Sequence, residues 1–362
     1  MNVRTKLIKL SFYNISKLVL QNISLKTGKV LGKPTGIFIS ITNRCNLHCK
    51  QCDVPLLASR KKELSTDQWK KILTELQNWL GTTMLRWSGG EPFLREDMLE
   101  LIEHGNQLGL LSGVITNGQL IDQQLATQIV QAGTFNISLS IDGMQKGHDF
   151  VRGDGSFKKV SNAAIFLNKA RKDQNSDMRI LVKVTIMETN LNEILDLIDW
   201  AQKEGVNAIS ISPLLETLGT TEPSPHWFEK SPLWVKDLKK LNYVVDCLAK
   251  RTGPNGLVLN PKAYVEAIKD YFRDPTVPTP PDFHCPVGHE HFRIERNGDV
   301  FLCPFLPPIG NLTENTPRQI WTSTEAKKTR KNIKLCRRNC LVACQHRRTI
   351  SEHLDLFLKL FK

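Results

Sequence analysis

Short apolar runs rich in β-branched residues alternate with amphipathic stretches from Gly36 to about Ser212. The apolar runs predict six strands, at residues 37–41, 84–87, 114–116, 135–141, 180–186 and 208–211. Apolar positions three and four residues apart predict helices between them, at residues 66–80, 96–108, 121–132, 157–171 and 191–204. Such alternation is typical of βα units around a parallel sheet. The sequence therefore predicts an α/β fold, a partial (β/α)6 TIM-like barrel.

The helix expected at residues 66–80 has the clearest start signal. Ser65 and Gln68 have the spacing of a capping box, in which each residue's side chain satisfies the other's backbone N–H. The apolar stripe of this helix consists of Trp69, Ile72, Leu73 and Leu76. The stripe predicts which face of the helix packs on the sheet.

The chain after the sixth strand is irregular. A helix is expected near residues 233–250, followed by a proline-rich stretch at 275–281 that favours a stiff linker. We divide the chain into a basic N-terminal extension (1–35), the barrel core (36–215), a helical and proline-rich linker (216–283), a small cysteine-rich β-hairpin and helix module (284–348) and a C-terminal amphipathic helix (349–362).

Composition indicates a globular protein, since 40% of the 362 residues are apolar and 23% are charged. The sequence has no apolar run of about 18 residues and no secretory signal, so we expect a cytoplasmic protein. The formal charge of +13 comes from residues 1–34 and 326–348, which contain basic residues but no acidic ones. No aromatic platform accompanies either basic segment, which argues against nucleic-acid binding.

Three of the nine cysteines share one loop directly after the first strand, with the spacing Cx3Cx2C: Cys45, Cys49 and Cys52. Clustered thiols in a reducing compartment are more often metal ligands or catalytic groups than disulfides. Three thiolates without a fourth nearby suit a [4Fe–4S] cluster whose fourth iron stays open. The alternatives are a zinc site completed by a distant ligand or three unrelated core thiols.

Residues 39–52, together with the stretch Ser88-Gly-Gly-Glu-Pro92 after the second strand, resemble the radical S-adenosylmethionine (SAM) superfamily. The resemblance implies an enzyme whose [4Fe–4S] cluster reductively cleaves SAM to a 5′-deoxyadenosyl radical, which abstracts a hydrogen atom from the substrate. It implies an external electron donor such as flavodoxin or ferredoxin. It also implies that Cys45, Cys49 and Cys52 are the catalytic cluster ligands.

The same resemblance implies the SAM-binding residues. Glu91 is expected to bind the ammonium group of SAM, and Gly89 and Gly90 to let the backbone approach the ligand. Ser140 and Asp142 match positions that contact the ribose or frame the site, and Arg152 is a candidate partner for a carboxylate. Each of these polar residues could instead cap a loop or carry a surface charge.

Five further cysteines occur near the end of the chain: Cys285, Cys303, Cys336, Cys340 and Cys344. Asn297-Gly298 predicts a hairpin turn between the first two. The last three have near-helical spacing and would share one face if their segment is helical. This arrangement resembles the SPASM and twitch extensions of radical SAM enzymes. The full SPASM pattern has seven cysteines for two clusters, so five indicate one auxiliary [4Fe–4S] cluster.

The ligands of this auxiliary cluster are expected to include Cys285, Cys303 and Cys344, with Cys340 preferred over Cys336 for the fourth position. A zinc module is the alternative, because His284, His289 and His291 lie nearby. The ninth cysteine, Cys247, is expected to be a buried helical thiol.

Three substrate classes remain open: a peptide or protein that is oxidatively modified, a small natural-product precursor, and a lipid near a membrane. Only about 35 residues precede the first strand, so peptide recognition is expected to use a separate protein or the barrel surface. Peripheral membrane contact is suggested by an apolar helical face at Ile8, Phe12, Ile15 and Val19. A non-catalytic iron–sulfur sensor or electron carrier is disfavoured, because it needs no SAM motif.

Overall fold

The computed structural model describes residues 20–21, 23–25, 27, 29–57, 62–216, 226–280 and 283–342. Within them, one sheet has the strand order β6-β5-β4-β3-β2-β1-β7-β8-β9. The strands are β1 (Gly36–Thr42), β2 (Met84–Gly89), β3 (Leu111–Thr116), β4 (Asn136–Ser140), β5 (Arg179–Ile186), β6 (Ala208–Pro213), β7 (His291–Glu295), β8 (Asp299–Phe301) and β9 (Gly310–Asn311). Strands β1 to β6 pair in parallel, which agrees with the predicted βα units.

The helices between these strands cover the outer face of the sheet. They are α1 (Thr66–Leu80), α2 (Met98–Gln107), α3 (Gln123–Gln131), α4 (Gln145–Arg152), α5 (Ser156–Asp173) and α6 (Ile194–Lys203), followed by α7 (Leu238–Ala249), α8 (Lys262–Arg273), α9 (Val287–Glu290), α10 (Pro317–Thr322) and α11 (Thr324–Leu335). Short 3-10 turns lie at Val54–Leu57, Pro92–Leu94, Glu188–Asn190 and Trp227–Lys230.

Helix α1 begins as its sequence predicts. The Ser65 hydroxyl accepts a hydrogen bond from the Gln68 backbone N–H, and the Gln68 side chain accepts one from the Ser65 N–H. The predicted stripe of Trp69, Ile72, Leu73 and Leu76 is buried. Local capping and burial of one apolar face therefore specify this helix together.

On β4, β5 and β7, buried residues alternate with partly exposed ones. On β5, Ile180, Val182 and Ile186 are completely buried, whereas Lys183 and other alternate residues keep partial exposure. Four strands separate β5 from β7, a distance of roughly 24 Å in a flat sheet. Lys183 nevertheless interacts electrostatically with Arg293 of β7. The sheet therefore curls into a partial barrel, and its partly exposed residues line the interior.

The predicted hairpin is formed by β7 and β8, which pair antiparallel around Asn297-Gly298. Gly298 has a φ of 87°, which a glycine adopts without strain. Strand β7 also pairs in parallel with β1, from Gly36↔His291 to Ser40↔Glu295. The hairpin thus extends the barrel sheet, a connection that the sequence did not predict.

Residues 226–280 do more than link two parts of the chain. Helices α7 and α8 contribute fully buried residues such as Val245, Val265 and Ile268 to the core. Asn260 fixes this region to the edge of the barrel, since its side chain accepts from the Ile211 N–H at 2.7 Å and donates to the Ile211 carbonyl at 2.9 Å. The sequence predicted α7 but not α8.

Several sequence predictions fall outside the described residues: the apolar face at Ile8, Phe12, Ile15 and Val19, the C-terminal helix at 349–362, and Cys344. In the parts of the chain that are described, no helix is long and apolar enough to span a bilayer. The segment before β1 packs on the C-terminal module, because Trp321 donates to the Gly32 carbonyl at 3.1 Å and Gln21 donates to the His289 carbonyl at 3.2 Å.

Candidate active site

The three clustered cysteines lie where β1 ends, at the carboxyl edge of the parallel sheet. Their loop turns back on itself, with the Cys52 N–H donating to the Cys49 carbonyl at 3.0 Å. The Lys50 N–H donates to the Val151 carbonyl at 2.9 Å, which ties the loop to α4. Main-chain contacts therefore hold the loop against the barrel.

Each of the three thiols faces N–H donors. Backbone N–H groups two residues further along donate to the sulfurs of Cys45 and Cys52, and the Asn117 amide approaches Cys45 Sγ at 3.7 Å. Arg152 Nη1 lies 3.8 Å from Cys49 Sγ. Burial raises the pKa of Cys49 to about 11, and Arg152 opposes that rise. Donors and a guanidinium around the sulfurs are what thiolate ligands of an anionic cluster require, and Cys52 remains exposed at the mouth of the loop.

Gly89 and Gly90 hold the second strand against the cysteine loop. Gly89 has a φ of 126°, and a Cβ there would lie 2.1 Å from the Thr42 carbonyl oxygen. A Cβ on Gly90 would lie 2.1 Å from the Arg44 oxygen. The absent side chains permit two hydrogen bonds, from the Gly90 N–H to the Thr42 carbonyl (2.7 Å) and from the Glu91 N–H to the Arg44 carbonyl (2.8 Å). In this structure, the close approach that the glycines allow is to the loop backbone.

Glu91 is completely buried next to this loop. Its Oε1 accepts from the Thr116 hydroxyl at 2.8 Å and the Phe93 N–H at 3.2 Å, and its Oε2 accepts from the Asn117 N–H at 2.8 Å. Burial raises the pKa of Glu91, and these hydrogen bonds oppose the rise. The bonds fix the direction of the carboxylate, which also interacts electrostatically with Cys45.

Asp142 and Arg152 form a buried ion pair, with Asp142 Oδ2 and Arg152 Nε 2.7 Å apart. The same Oδ2 accepts from Gln51 Nε2 at 2.8 Å, and Oδ1 accepts from the Thr185 N–H at 2.8 Å. Asp142 thus connects the cysteine loop, α4 and β5. Because Arg152 also reaches Cys49, the ion pair orients a guanidinium towards the cysteine loop.

Ser140 lies at the end of β4, opposite Lys183 of β5. The site also contains two residues for which no role was predicted. Asn117 lies in the turn after β3 and contacts both Glu91 and Cys45. Gln51 lies between two cysteines in the sequence, and nothing in that position signalled its bond to Asp142.

The auxiliary thiols within the described residues lie close together. Burial raises the pKa of Cys285 to about 12, and Cys340, Cys303 and Cys336 each raise it further. The backbone N–H two residues on donates to the sulfurs of Cys285, Cys303 and Cys340, the arrangement seen at Cys45 and Cys52. The structure thus gathers four of the five predicted thiols, and these suit an iron–sulfur cluster.

The segment that carries Cys336 and Cys340 is not helical. Helix α11 ends at Leu335, and Cys336 follows in extended backbone. The helix on which these thiols would share one face is therefore absent at residues 336–342. Other contacts position the segment: Tyr264 donates to the Leu341 carbonyl at 3.1 Å, and the Thr279 N–H donates to the Arg337 carbonyl at 2.9 Å.

Within the described part of the chain, no three His, Cys, Asp or Glu side chains are arranged to hold a metal ion as a compact group. In a [4Fe–4S] cluster each thiolate binds a different iron, so its ligands need not converge on one point. The thiols and their N–H donors are therefore the relevant test of fit, and both cysteine groups have them.

Comparison with known proteins gives the family. A profile of the radical SAM superfamily matches residues 39–201, and a profile of the SPASM iron–sulfur cluster-binding domain matches residues 285–344. The PqqA peptide cyclase of Bradyrhizobium diazoefficiens is 32% identical over 321 residues, which are 83% of this chain and 76% of that protein. The chain belongs to the radical SAM superfamily.

Other relatives and solved structures agree. The AdoMet-dependent heme synthase of Methanosarcina barkeri is 28% identical over 300 residues, 81% of this chain and 83% of that protein. Streptococcus suis SuiB superposes with a TM-score of 0.62 at 17% identity, over 86% of this chain and 71% of SuiB. The structure of anSMEcpe with bound AdoMet gives 0.58 at 18% identity, over 82% of each chain. These structures confirm the TIM-like partial barrel.

Family membership confirms the class and the cofactors that the sequence predicted. The radical SAM enzyme uses a [4Fe–4S] cluster and SAM, and its SPASM domain implies auxiliary iron–sulfur clusters. The two matched ranges contain the two groups of cysteines, Cys45 to Cys52 and Cys285 to Cys344.

Proposed function

We propose that this radical SAM enzyme oxidatively modifies a peptide, using Cys45, Cys49 and Cys52 to hold the SAM-cleaving cluster. The observation that carries the substrate class is the 32% identity to a PqqA peptide cyclase across most of both chains. When bound, the cluster supplies the electron that cleaves SAM to methionine and a 5′-deoxyadenosyl radical. In the cell, flavodoxin or ferredoxin provides that electron.

The role proposed for Glu91 is to accept a hydrogen bond from the ammonium group of SAM. A carboxylate has about four acceptor sites, and three are used by Thr116, Phe93 and Asn117. The remaining site belongs to Oε2, on a side chain whose direction is already fixed. Because Glu91 is buried, its charge interacts strongly with a cationic ligand.

Arg152 is proposed to bind a carboxylate, that of the methionine part of SAM. Its Nε donates to Asp142, and one Nη1 hydrogen faces Cys49. A guanidinium has five N–H donors, so three remain for a ligand. Asp142 keeps the guanidinium in place and is therefore a positioning residue, and Ser140 is proposed to frame the ribose side of the pocket.

Residues 284–348 are proposed to form one auxiliary cluster site. The N–H donors at Cys285, Cys303 and Cys340 support these three as ligands. The fourth position goes to Cys336 or to Cys344, which lies outside the described residues. An auxiliary cluster can accept the second electron of a two-electron oxidation, which favours an oxidised product. A separate peptide-recognition protein is proposed to deliver the substrate.

A second candidate is modification of a small molecule. It is favoured by the AdoMet-dependent heme synthase of Methanosarcina barkeri, which matches 81% of this chain and 83% of its own length at 28% identity. The two candidates share the site chemistry at Cys45 to Cys52 and differ in what enters the barrel.

One experiment separates the two candidates. Reconstituted enzyme, SAM and dithionite are incubated with a low-mass extract of the source cells, either untreated or digested with proteinase K that is then removed. A peptide substrate predicts that the untreated extract stimulates 5′-deoxyadenosine formation, that digestion abolishes the stimulation, and that one peptide loses two hydrogens. Stimulation that survives digestion would refute the peptide and support the small molecule.

A further inference from the structure

Three cysteines of the auxiliary group share one local turn, in which the backbone N–H two residues on donates to the sulfur: Cys285, Cys303 and Cys340. The direction of that N–H depends on the dihedral angles of the residue in between. At the first two cysteines this residue is a proline, Pro286 or Pro304, whose ring fixes φ at about −65°. Pro286 has a φ of −80°. The residue types themselves therefore favour these two turns.

The turn at Cys340 is different, because the residue in between is Leu341. Leu341 has a φ of 38°, in the left-handed region that a bulky side chain rarely adopts. Among the residues that the structure describes, the other non-glycine residue with a positive φ is Asn175. Asparagine visits this region routinely, whereas leucine does so at a cost in free energy. A contact from elsewhere in the fold must therefore hold the backbone of Leu341.

Tyr264 of α8 supplies such a contact. Its hydroxyl donates to the Leu341 carbonyl at 3.1 Å, and both residues are buried. The carbonyl of Leu341 and the N–H of Val342 belong to one planar peptide unit and point in opposite directions. A bond that fixes the carbonyl therefore fixes the N–H as well. The Val342 N–H is the one that donates to the Cys340 sulfur.

The chain before Cys340 is held by different bonds. The Thr279 N–H donates to the Arg337 carbonyl at 2.9 Å, and the Arg337 guanidinium donates to the Pro280 carbonyl at 2.9 Å. These bonds end three residues before the cysteine, whereas the bond from Tyr264 acts on the peptide directly after it. The direction of the Val342 N–H thus depends on α8.

Hydrogen bonds to the ligand sulfurs of an iron–sulfur cluster favour its reduced, more negative state, so they raise its reduction potential. The auxiliary cluster is proposed above to accept an electron from the substrate. A lost N–H donor would make that transfer less favourable. The bond from Tyr264 to Leu341 therefore affects the chemistry of the cluster as well as the packing of the module.

We propose that Tyr264 is a positioning residue for the auxiliary cluster: its hydroxyl holds Leu341 in the left-handed turn, so that the Val342 N–H faces the Cys340 thiolate and raises the potential of the cluster. The assignment rests on the proposed auxiliary cluster with Cys340 as a ligand. It is independent of which substrate is oxidised.

The test is an anaerobic redox titration followed by electron paramagnetic resonance. The parent is the full chain with Cys45→Ala, Cys49→Ala and Cys52→Ala, reconstituted with iron and sulfide, so that the auxiliary cluster alone gives the signal. Tyr264→Phe removes a single oxygen atom from this parent. At the midpoint potential of the parent, the ratio of reduced to oxidised cluster should fall at least about threefold in Tyr264→Phe.

Tyr271→Phe is the matched control, because Tyr271 lies on the same helix and its hydroxyl donates at the same 3.1 Å to a barrel carbonyl, that of Leu214. It should leave the ratio unchanged. A second pair separates backbone conformation from packing. Leu341→Gly and Leu341→Ala both remove the buried side chain, but only glycine adopts a positive φ without cost. Combined with Tyr264→Phe, the glycine should restore most of the parent ratio and the alanine should not.

An unchanged ratio in Tyr264→Phe, with about four irons retained, would overturn the proposal alone. Equal falls in Tyr264→Phe and Tyr271→Phe would assign the effect to a loosened α8 and also overturn it. If Tyr264→Phe loses its iron, restoration by glycine but not by alanine would support the proposal, and loss in all three variants would overturn it. A parent without iron would overturn the auxiliary cluster itself, so the two failures are distinguishable.

Discussion

Gly90→Ala tests whether close packing of β2 on the cysteine loop supports the cluster site. The added Cβ would lie 2.1 Å from the Arg44 oxygen, 2.7 Å from the Arg44 carbonyl carbon and 2.9 Å from the Asn43 carbonyl carbon. All three atoms are backbone, so no side chain can rotate away. Relief requires the loop and the strand to move apart by about 1.4 Å, since such atoms normally pack at about 3.5 Å.

The loss of unfolding free energy follows from the contacts that this movement breaks. The hydrogen bonds from Gly90 to Thr42 and from Glu91 to Arg44, at 2.7 and 2.8 Å, contribute about 1 kcal/mol each. Overpacking adds about 1–3 kcal/mol. The total loss of unfolding free energy is about 3–5 kcal/mol, which corresponds to a melting temperature lowered by about 6–10 °C in a large domain.

The assay is anaerobic thermal unfolding with iron analysis. Gly90→Ala should melt lower than wild type and lose about four irons per chain, because the loop of Cys45, Cys49 and Cys52 moves. The matched control is Gly105→Ala in α2, where a Cβ meets nothing closer than 3.6 Å and should be neutral or slightly stabilising. A Gly90→Ala protein that melts within 2 °C of wild type and keeps its iron would refute the packing argument.

Three further perturbations test other parts of the structure. Asp142→Asn leaves Arg152 without its counter-charge and should lower the free energy of unfolding, measured in urea, by about 3–5 kcal/mol. The variant should also retain less iron. An unchanged urea midpoint would contradict a stabilising ion pair. Asn260→Ala removes both hydrogen bonds to the β6 backbone and should lower the free energy of unfolding by about 2–4 kcal/mol. The exposed control Asn162→Ala should change nothing, and equal urea midpoints for the two variants would contradict the role of Asn260. Burial lowers the pKa of His148 from 6.5 to about 4, so the folded state favours the neutral ring. The free energy of unfolding of the wild type, relative to that of His148→Gln, should therefore fall by about 2 kcal/mol between pH 7 and pH 5. A difference that stays constant over this range would contradict the lowered pKa.

The sequence predicted most of the barrel because its signals are local. Helix α1 carries its own capping box and apolar stripe, and its bounds agree with the prediction. The six parallel strands likewise show as β-branched runs. The Cx3Cx2C and Gly-Gly-Glu motifs each lie in a few consecutive residues, so the candidate site could be named before the fold was known.

What the sequence did not predict depends on contacts between distant residues. The pairing of β7 with β1 joins Ile39 to Ile294, more than 250 positions apart, and no local pattern encodes it. The link between Asp142 and Gln51 also requires the folded chain. The hydrogen bond from Tyr264 to the Leu341 carbonyl likewise joins two distant parts of the chain.

The most direct test of the central claim is 5′-deoxyadenosine formation by anaerobically reconstituted enzyme with SAM and dithionite. Wild-type protein should form it and contain about eight irons per chain, as two clusters require. The triple variant with Cys45, Cys49 and Cys52 each replaced by Ala should form none and keep about four. Wild-type protein that forms no 5′-deoxyadenosine, or a triple variant that forms it at the wild-type rate, would contradict the assignment of these cysteines.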